Sequence, residues 1–228
     1  MRTRRLFVVA YMCSGAAGLI YQIVWMRLLS LQLGHTVAAV GTVLAAYMGG
    51  LAAGALIGGH LAPRLDRSGA LRGYAALECM IALCALALPF GLHAFEPLLA
   101  WAYGDEPGLT FALVRIASSL ALVFIPAAAM GITFPLAIRW FVGAASNTGR
   151  DAGGLYALNT AGAAIGALVT GFVLIPAIGL FATTFVGIVL NLTAAAGAWL
   201  IAKQPPIATV APRSRRRART TTVARLPT

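Results

Sequence analysis

One acidic residue lies inside an otherwise apolar stretch of this chain. Glu78 is the one Asp, Glu, Lys or Arg residue between positions 74 and 93. An ionised carboxylate in such a helix needs a cation, a hydrogen-bond donor or water, so Glu78 is a candidate to bind a cationic substrate or a proton. The alternative is an acid about 9 Å inside the cytoplasmic end of its helix, paired there with Arg72 or Arg139.

Three further polar residues in apolar stretches are candidates for substrate binding. Asn159 begins a predicted helix at a depth similar to that of Glu78, where it could form a hydrogen bond between helices. Gln22 and Arg115 lie toward the opposite surface, and Arg115 either extends to that surface or faces a cavity with Gln22. Asn191 is more typical of helix packing than of ligand binding.

No pattern in the chain predicts catalysis or metal binding. There is no phosphate-binding loop, no pair of histidines at zinc spacing, and no nucleophile at readable spacing from a base. Cys13, Cys79 and Cys84 are odd in number and lie in apolar runs, which indicates neither a disulfide framework nor a metal site. We therefore predict no catalytic residue, no metal and no cofactor.

The elements that carry these residues are predicted to be transmembrane helices. The chain is 60% apolar and only 10% charged, and its mean hydropathy is +0.87. Residues 152–202 contain no formally charged side chain. As one helix they would span roughly 75 Å, more than twice the ~30 Å of a bilayer core. The run must therefore cross, turn at the Ile-Pro-Ala-Ile-Gly sequence of residues 175–179, and cross back.

We predict an all-α integral membrane protein with six transmembrane helices in one domain, residues 1–202. The fourth helix contains Pro126 and Pro135, which predict a kink or a break. Residues 203–228 are predicted to be a disordered, basic cytoplasmic tail. The six predicted helices comprise residues 6–26, 37–61, 74–93, 109–138, 155–175 and 180–202.

The arginines predict which way the helices point. With both termini in the cytoplasm, nearly all of the 17 Lys and Arg residues fall on the cytoplasmic side. Arg27 alone lies near the outer surface and Arg115 lies within a span, so the positive-inside rule favours a multi-pass protein of the cytoplasmic (inner) membrane. The arginine cluster of residues 213–219 is predicted to attract anionic lipid headgroups rather than nucleic acid.

An internal repeat relates the two halves of the chain. Glycines of the second and fifth helices recur at a separation of 112, and Arg27 matches Arg139 at the same separation. Each unit would hold three helices, so the second copy would be inverted, as in half of a major-facilitator-like bundle. The small helix faces are formed by Gly50, Gly54, Gly58, Gly162 and Gly166. We expect the two faces to meet each other at the centre of the bundle or at a homodimer seam.

Four blocks of the chain form a characteristic order of motifs, residues 14–29, 45–54, 130–136 and 154–166. The most specific part is Leu-Tyr-x-x-Asn-Thr-x-Gly, which starts at Leu155 and contains Asn159. In this order the motifs resemble the membrane module of the fused major-facilitator-like/spermidine synthase family. The resemblance extends over nearly the whole predicted bundle.

Members of that family usually continue into a Rossmann-type aminopropyltransferase domain, which uses a decarboxylated adenosylmethionine donor and a polyamine acceptor. Residues 203–228 contain no Gly-rich βαβ unit. The resemblance thus implies a carrier-like or anchoring module in polyamine metabolism, with a separate aminopropyltransferase subunit as its partner. The alternatives are a non-transporting scaffold or a truncated remnant that dimerises through its Gly-rich helices.

Overall fold

The computed structural model describes residues 2–33, 36–104, 108–142 and 148–204, and these residues form helices joined by short connections. We label the helices α1 (Arg2–Leu33), α2 (Val37–Leu61), α3 (Arg67–Tyr103), α4 (Leu109–Phe141), α5 (Thr148–Val169) and α6 (Ile175–Ala202). The all-α prediction is confirmed for this part of the chain. The predicted tail from residue 205 onward lies outside the described residues.

Five helical stretches of the described residues are long and apolar enough to cross a membrane. The last of them, Gly149–Ala202, has 54 residues and contains α6 and all but the first residue of α5. It is interrupted at Gly179, whose backbone has φ 76° and ψ 175°. Glycine adopts this conformation readily because it has no Cβ. The interruption falls within residues 175–179, where the sequence predicts a turn.

Helix α3 is longer at both ends than the predicted residues 74–93. It begins after Asp66, whose carboxylate accepts a hydrogen bond from the Gly69 amide at 2.8 Å, a typical N-cap. It continues through Pro89 and Pro97 to Tyr103. A proline removes one backbone hydrogen bond, but the apolar sequence on both sides keeps the chain helical.

Helix α4 continues through both prolines, and the predicted kink or break corresponds to a local interruption before Pro126 rather than to an end of the helix. A π turn, Leu120–Phe124, lies just before Pro126 and interrupts the α-helical hydrogen bonding. The wider turn gives room to a proline ring that would otherwise meet the preceding turn. A second π turn, Thr170–Leu174, precedes Pro176 in the same way.

Glycines allow two pairs of helices to pack backbone to backbone. On α2, a Cβ at Gly54 would overlap the Ala128 carbonyl oxygen of α4. On α5, a Cβ at Gly166 would lie 2.5 Å from the Ala16 carbonyl oxygen of α1. The expectation that the two glycine faces meet each other is therefore wrong, because each face is filled by a different helix. The α2 face is also closed to a homodimer seam, since α4 already covers it.

Large apolar side chains remain exposed around the outside of these helices. Phe172 is 79% exposed and Trp101 is 70% exposed, among many others. A water-soluble protein of this size rarely exposes so much contiguous apolar surface. An outer surface of this kind fits contact with lipid.

Candidate functional site: a buried carboxyl group between three helices

Glu78 lies on α3 and its side chain is completely buried. The Ser14 hydroxyl of α1 donates a hydrogen bond to Glu78 Oε1 at 2.5 Å. The Tyr74 hydroxyl, one turn earlier on α3, is close to both of them. Glu78 Oε2 has no well-formed hydrogen bond with any described residue. The carboxyl group is thus held at one oxygen by Ser14, with the Tyr74 hydroxyl as a second neighbouring donor.

Asn191 brings a third helix to the same place. It is buried on α6, and its Nδ2 donates a hydrogen bond to the backbone carbonyl oxygen of Glu78 at 3.1 Å. A side-chain amide that bonds the backbone of another helix ties the two together. Helices α1, α3 and α6 therefore meet at Glu78.

Replacing Asn191 by leucine should weaken this junction. The substitution removes the bond to the Glu78 carbonyl, and we expect the folded protein to lose about 1–3 kcal/mol of stability. Thermal unfolding in detergent would measure the loss. Thr193→Val is a suitable control, because the exposed Thr193 hydroxyl bonds only to Val189 of its own helix. Equal unfolding of both variants would contradict a junction that depends on Asn191.

No positive charge neutralises the Glu78 carboxyl group within the part of the chain that the structure describes. Arg139 donates from Nε to the Leu65 carbonyl oxygen at 2.9 Å, and Arg72 is exposed. The alternative in which Glu78 pairs with either arginine is therefore wrong. A buried acid with no cation of its own can accept one from a ligand.

Asn159 lies across from α1, next to the Glu78 site. Its side chain and carbonyl oxygen face Gly15, the neighbour of Ser14, and a Cβ at Gly15 would lie 2.8 Å from Asn159 Oδ1. No hydrogen bond joins Asn159 to Glu78 among the described residues. The two predicted candidates are thus close to the same segment of α1 but are not directly linked.

The other two candidates, Gln22 and Arg115, are not brought together. Gln22 is half-buried on α1 and forms no hydrogen bond with Arg115 in the described structure. The Arg115 guanidinium lies over the Phe111 ring, 5.7 Å from its centroid. Its Nε is buried and has no hydrogen-bond acceptor there. The geometry favours neither of them as a partner of Glu78.

Aromatic rings fill the space next to Glu78 toward the N-terminal end of α1. Tyr11 and Tyr74 have ring centroids 6.0 Å apart, and Phe7 stacks on Tyr11 at 5.9 Å. Farther along, Trp140 approaches Phe7 to 4.6 Å. Aromatic faces carry negative charge density and attract cations. The surroundings of the carboxyl group thus favour a positively charged ligand over an anion.

Sequence reasoning missed two members of this site, Ser14 and Tyr74. Tyr74 could have been found, because residues four apart share a helix face and it precedes Glu78 by four. Ser14 gave no signal, since serine is also common where transmembrane helices pack closely. No group of three or more His, Cys, Asp or Glu side chains in the described residues is arranged to hold a metal ion.

Comparison with known proteins gives one distant similarity. The chain is 28% identical over 196 residues to proteins named polyamine aminopropyltransferase from two strains of Mycobacterium tuberculosis and from Mycobacterium bovis. The match covers 86% of this chain but only 35% of each relative. No family model and no solved structure matches. The chain is thus a distant, partial relative of these enzymes.

Proposed function

We propose that this chain is a six-span membrane module that binds a cationic amine at Glu78 and serves polyamine metabolism as a carrier. The observation that carries this proposal is the Glu78 carboxyl group, which is fully buried, held by Ser14 on one oxygen and free of any described cation. An acid in this setting is a binding site by default. The distant similarity to polyamine aminopropyltransferases supports an amine as the ligand.

Six crossings are supported by the directions in which the helices run. Gly162 and Gly166 on α5 lie against Met12 and Ala16 on α1, so these helices are parallel. Along α6 the order is reversed, because Gly187 contacts Tyr21 and the later Gly197 contacts Ala10. Helices α5 and α6 therefore run in opposite directions on either side of Gly179, as two separate spans would.

The inverted repeat is supported by matched contacts. The glycine contacts between α2 and α4 recur between α5 and α1 when 112 is added to the glycine number and subtracted from that of its partner. Such an exchange is expected when the first helix of each three-helix unit packs against the second helix of the other unit. The contact of Gly50 with Phe124 corresponds to that of Gly162 with Met12. The contact of Gly54 with Ala128 corresponds to that of Gly166 with Ala16.

The charged residues support cytoplasmic termini and a location in the cytoplasmic membrane. At one end of the bundle, Arg4 pairs with Asp151 at 2.8 Å, and Arg67 donates to the Val142 carbonyl oxygen at 2.8 Å. This end carries most of the arginines and, by the positive-inside rule, faces the cytoplasm. The arginines of residues 213–219 would add attraction to anionic headgroups.

Anchoring of a separate aminopropyltransferase is a second candidate function. It is favoured by the partial match, because the chain corresponds to 35% of the length of relatives that carry that name. An anchor needs no amine site inside the bundle. Amine binding at Glu78 therefore distinguishes the carrier from the anchor.

Binding of radiolabelled spermidine to the full-length chain in lipid nanodiscs tests the proposal. Glu78→Gln keeps the shape of the side chain and removes its charge, so we expect spermidine affinity to fall about ten- to hundredfold, as for a lost charged hydrogen bond. Asp151→Asn removes another acid, at the surface ion pair with Arg4, and should leave affinity unchanged. Absence of saturable binding to the wild-type chain, or equal affinity of Glu78→Gln, would refute the amine site.

A further inference from the structure

Helices α2 and α5 each have a second face, on the other side from the glycines that pack on α4 and α1. We call it the free face of each helix, because all but one of its residues are exposed in the described structure. A Cβ at its terminal glycines would meet nothing within 4 Å. Alternating steps of four and three residues keep the positions on one side of a helix. The free face of α2 consists of Gly41, Ala45, Met48, Ala52, Ala55 and Gly59, and that of α5 consists of Gly153, Ala157, Thr160, Ala164, Ala167 and Gly171.

The two free faces are copies of each other. Five of the six positions are identical at the separation of 112, and the sixth pairs Met48 with Thr160. Each face is about 27 Å long at 1.5 Å per residue, close to the ~30 Å of a bilayer core. Beside these faces the same helices expose large side chains, such as Ile57 and Ile165. Contact with lipid does not require small residues, whereas the close approach of another helix does.

Opposite helix directions bring the two free faces into register. Helices α1 and α2 are joined by a short connection between Leu33 and Val37, so they run in opposite directions. Helices α1 and α5 are parallel, and α2 and α5 are therefore antiparallel. The steps along each face read the same from either end. An antiparallel pair thus aligns all six positions, with Ala52 opposite Thr160 at the centre.

The two free faces also lie at similar depth. Gly162, halfway along the face of α5, lies on Met12 of α1. The Tyr47 hydroxyl of α2 donates to the Gly18 carbonyl oxygen at 3.1 Å. Gly50, halfway along the face of α2, follows Tyr47 by three residues, back toward the start of α1. The two midpoints therefore differ by roughly 5 Å along α1, and two copies can align their faces without a large shift in the membrane.

Both free faces belong to one side of the bundle, which we call the front. Helices α3 and α6 pack on α4 and α1 at the back. Gln22 lies at the front of α1, because it follows Gly18 by four and Gly15 by seven. Gly18 faces Tyr47 of α2, and Gly15 faces Asn159 of α5. The half-buried amides of Gln22 and Asn159 form no hydrogen bond with a described residue. Lipid offers them no partner, so the front favours cover by protein.

We propose that two copies of the chain form a dimer about a two-fold axis along the membrane normal. The free face of α2 in each copy packs on the free face of α5 in the other, which gives two identical seams. With helices about 10 Å wide, the two seams bury roughly 1,100 Å², which reaches the ~1,000 Å² expected of a stable interface. The inference uses the helix directions of the six-span topology and does not depend on amine binding at Glu78.

Cysteine cross-linking in native membranes tests this arrangement. In a background with the three natural cysteines replaced by alanine, Ala52→Cys and Thr160→Cys on one chain should give a covalent dimer after mild oxidation. Facing small residues bring the two Cα atoms within the ~4.4–6.8 Å that a disulfide spans. Either substitution alone should leave a monomer on a denaturing gel. Ala45→Cys with Thr160→Cys is the control out of register, because its cysteines lie about 10 Å apart along the seam.

Tryptophan substitutions measure how far the dimer depends on these faces. Ala52→Trp and Ala164→Trp should each raise the dimer dissociation constant in mild detergent at least about tenfold, because a bulky ring separates the two backbones. Light scattering would report the mass. Ile57→Trp and Ile165→Trp are the matched controls, since these side chains are 53% and 57% exposed outside the free faces, and both variants should remain dimeric.

Three results would overturn the proposed dimer. One is cross-linking of either single-cysteine variant as efficient as that of the Ala52 and Thr160 pair. Another is equal cross-linking of the pair out of register. The third is a wild-type chain that is monomeric in mild detergent and gives no cross-link between Ala52→Cys and Thr160→Cys in membranes, which would assign the free faces to lipid. None of these results bears on spermidine binding at Glu78, so the proposed function is tested separately.

Discussion

Replacing Gly54 by valine is expected to prevent the chain from folding into a stable bundle. Any Cβ at this position overlaps the Ala128 carbonyl oxygen, which belongs to backbone and cannot rotate away. Helices α2 and α4 would have to separate along their whole contact, and overpacking of a tight interface costs about 1–3 kcal/mol even for smaller changes. We expect less than about a tenth of the wild-type yield as a monodisperse peak in detergent.

Gly166→Val should have the same effect, because Gly166 meets the Ala16 carbonyl oxygen as Gly54 meets that of Ala128. The matched controls are Gly59→Val and Gly171→Val, since a Cβ at either position meets nothing within 4 Å. These controls share the separation of 112, so the four variants form two equivalent pairs. A normal yield of Gly54→Val would contradict the backbone contact, and a severe loss in one pair member alone would contradict the inverted repeat.

These glycines also show the limit of sequence reasoning about the fold. Spacing by four residues predicts a small face on α2 and another on α5, and both faces are close-packed in the structure. Spacing does not specify the partner, because any helix with a suitable backbone can approach such a face. Nothing in the sequence marks the carbonyl groups of Ala16 and Ala128 as partners of these glycines, and only the folded structure identifies them.

Helix bounds were predictable where polar residues mark them and not elsewhere. Thr36 and Val37 mark the start of α2, where the Thr36 side chain accepts a hydrogen bond from Ala39. The end of α3 was predicted at residue 93, ten residues early, and the helix continues through Pro97 to Tyr103. Proline restricts the helix locally, but packing on both sides decides whether the helix continues.

Glu78 was predictable because a charge in an apolar run needs a physical reason. Its neighbours were not, since Ser14 and Asn191 lie on helices far from it in the sequence, and only the packing of α1 and α6 brings them to α3.

Labelling of single cysteines near the ends of α5 and α6 should show how many times the chain crosses the membrane, because each cysteine is either labelled in intact cells or not. In a background with Cys13, Cys79 and Cys84 replaced by alanine, Ala177→Cys should react with a membrane-impermeant maleimide added to intact cells. Gln204→Cys should react only after the membrane is permeabilised. Arg64→Cys, in the connection between α2 and α3, should behave like Gln204→Cys.

We expect this labelling pattern because of the length of the helical stretch that contains α5 and α6. Its 54 residues would extend about 80 Å as one rod, far beyond a hydrocarbon core of ~30 Å, and Gly179 interrupts the helix near its middle. Five crossings would place Gln204 outside when Arg64 is inside, so labelling of Gln204→Cys in intact cells would refute the six-span topology. Because Asn191 of α6 forms a hydrogen bond with the Glu78 backbone, the same result would also contradict the packing of α6 beside the proposed amine site.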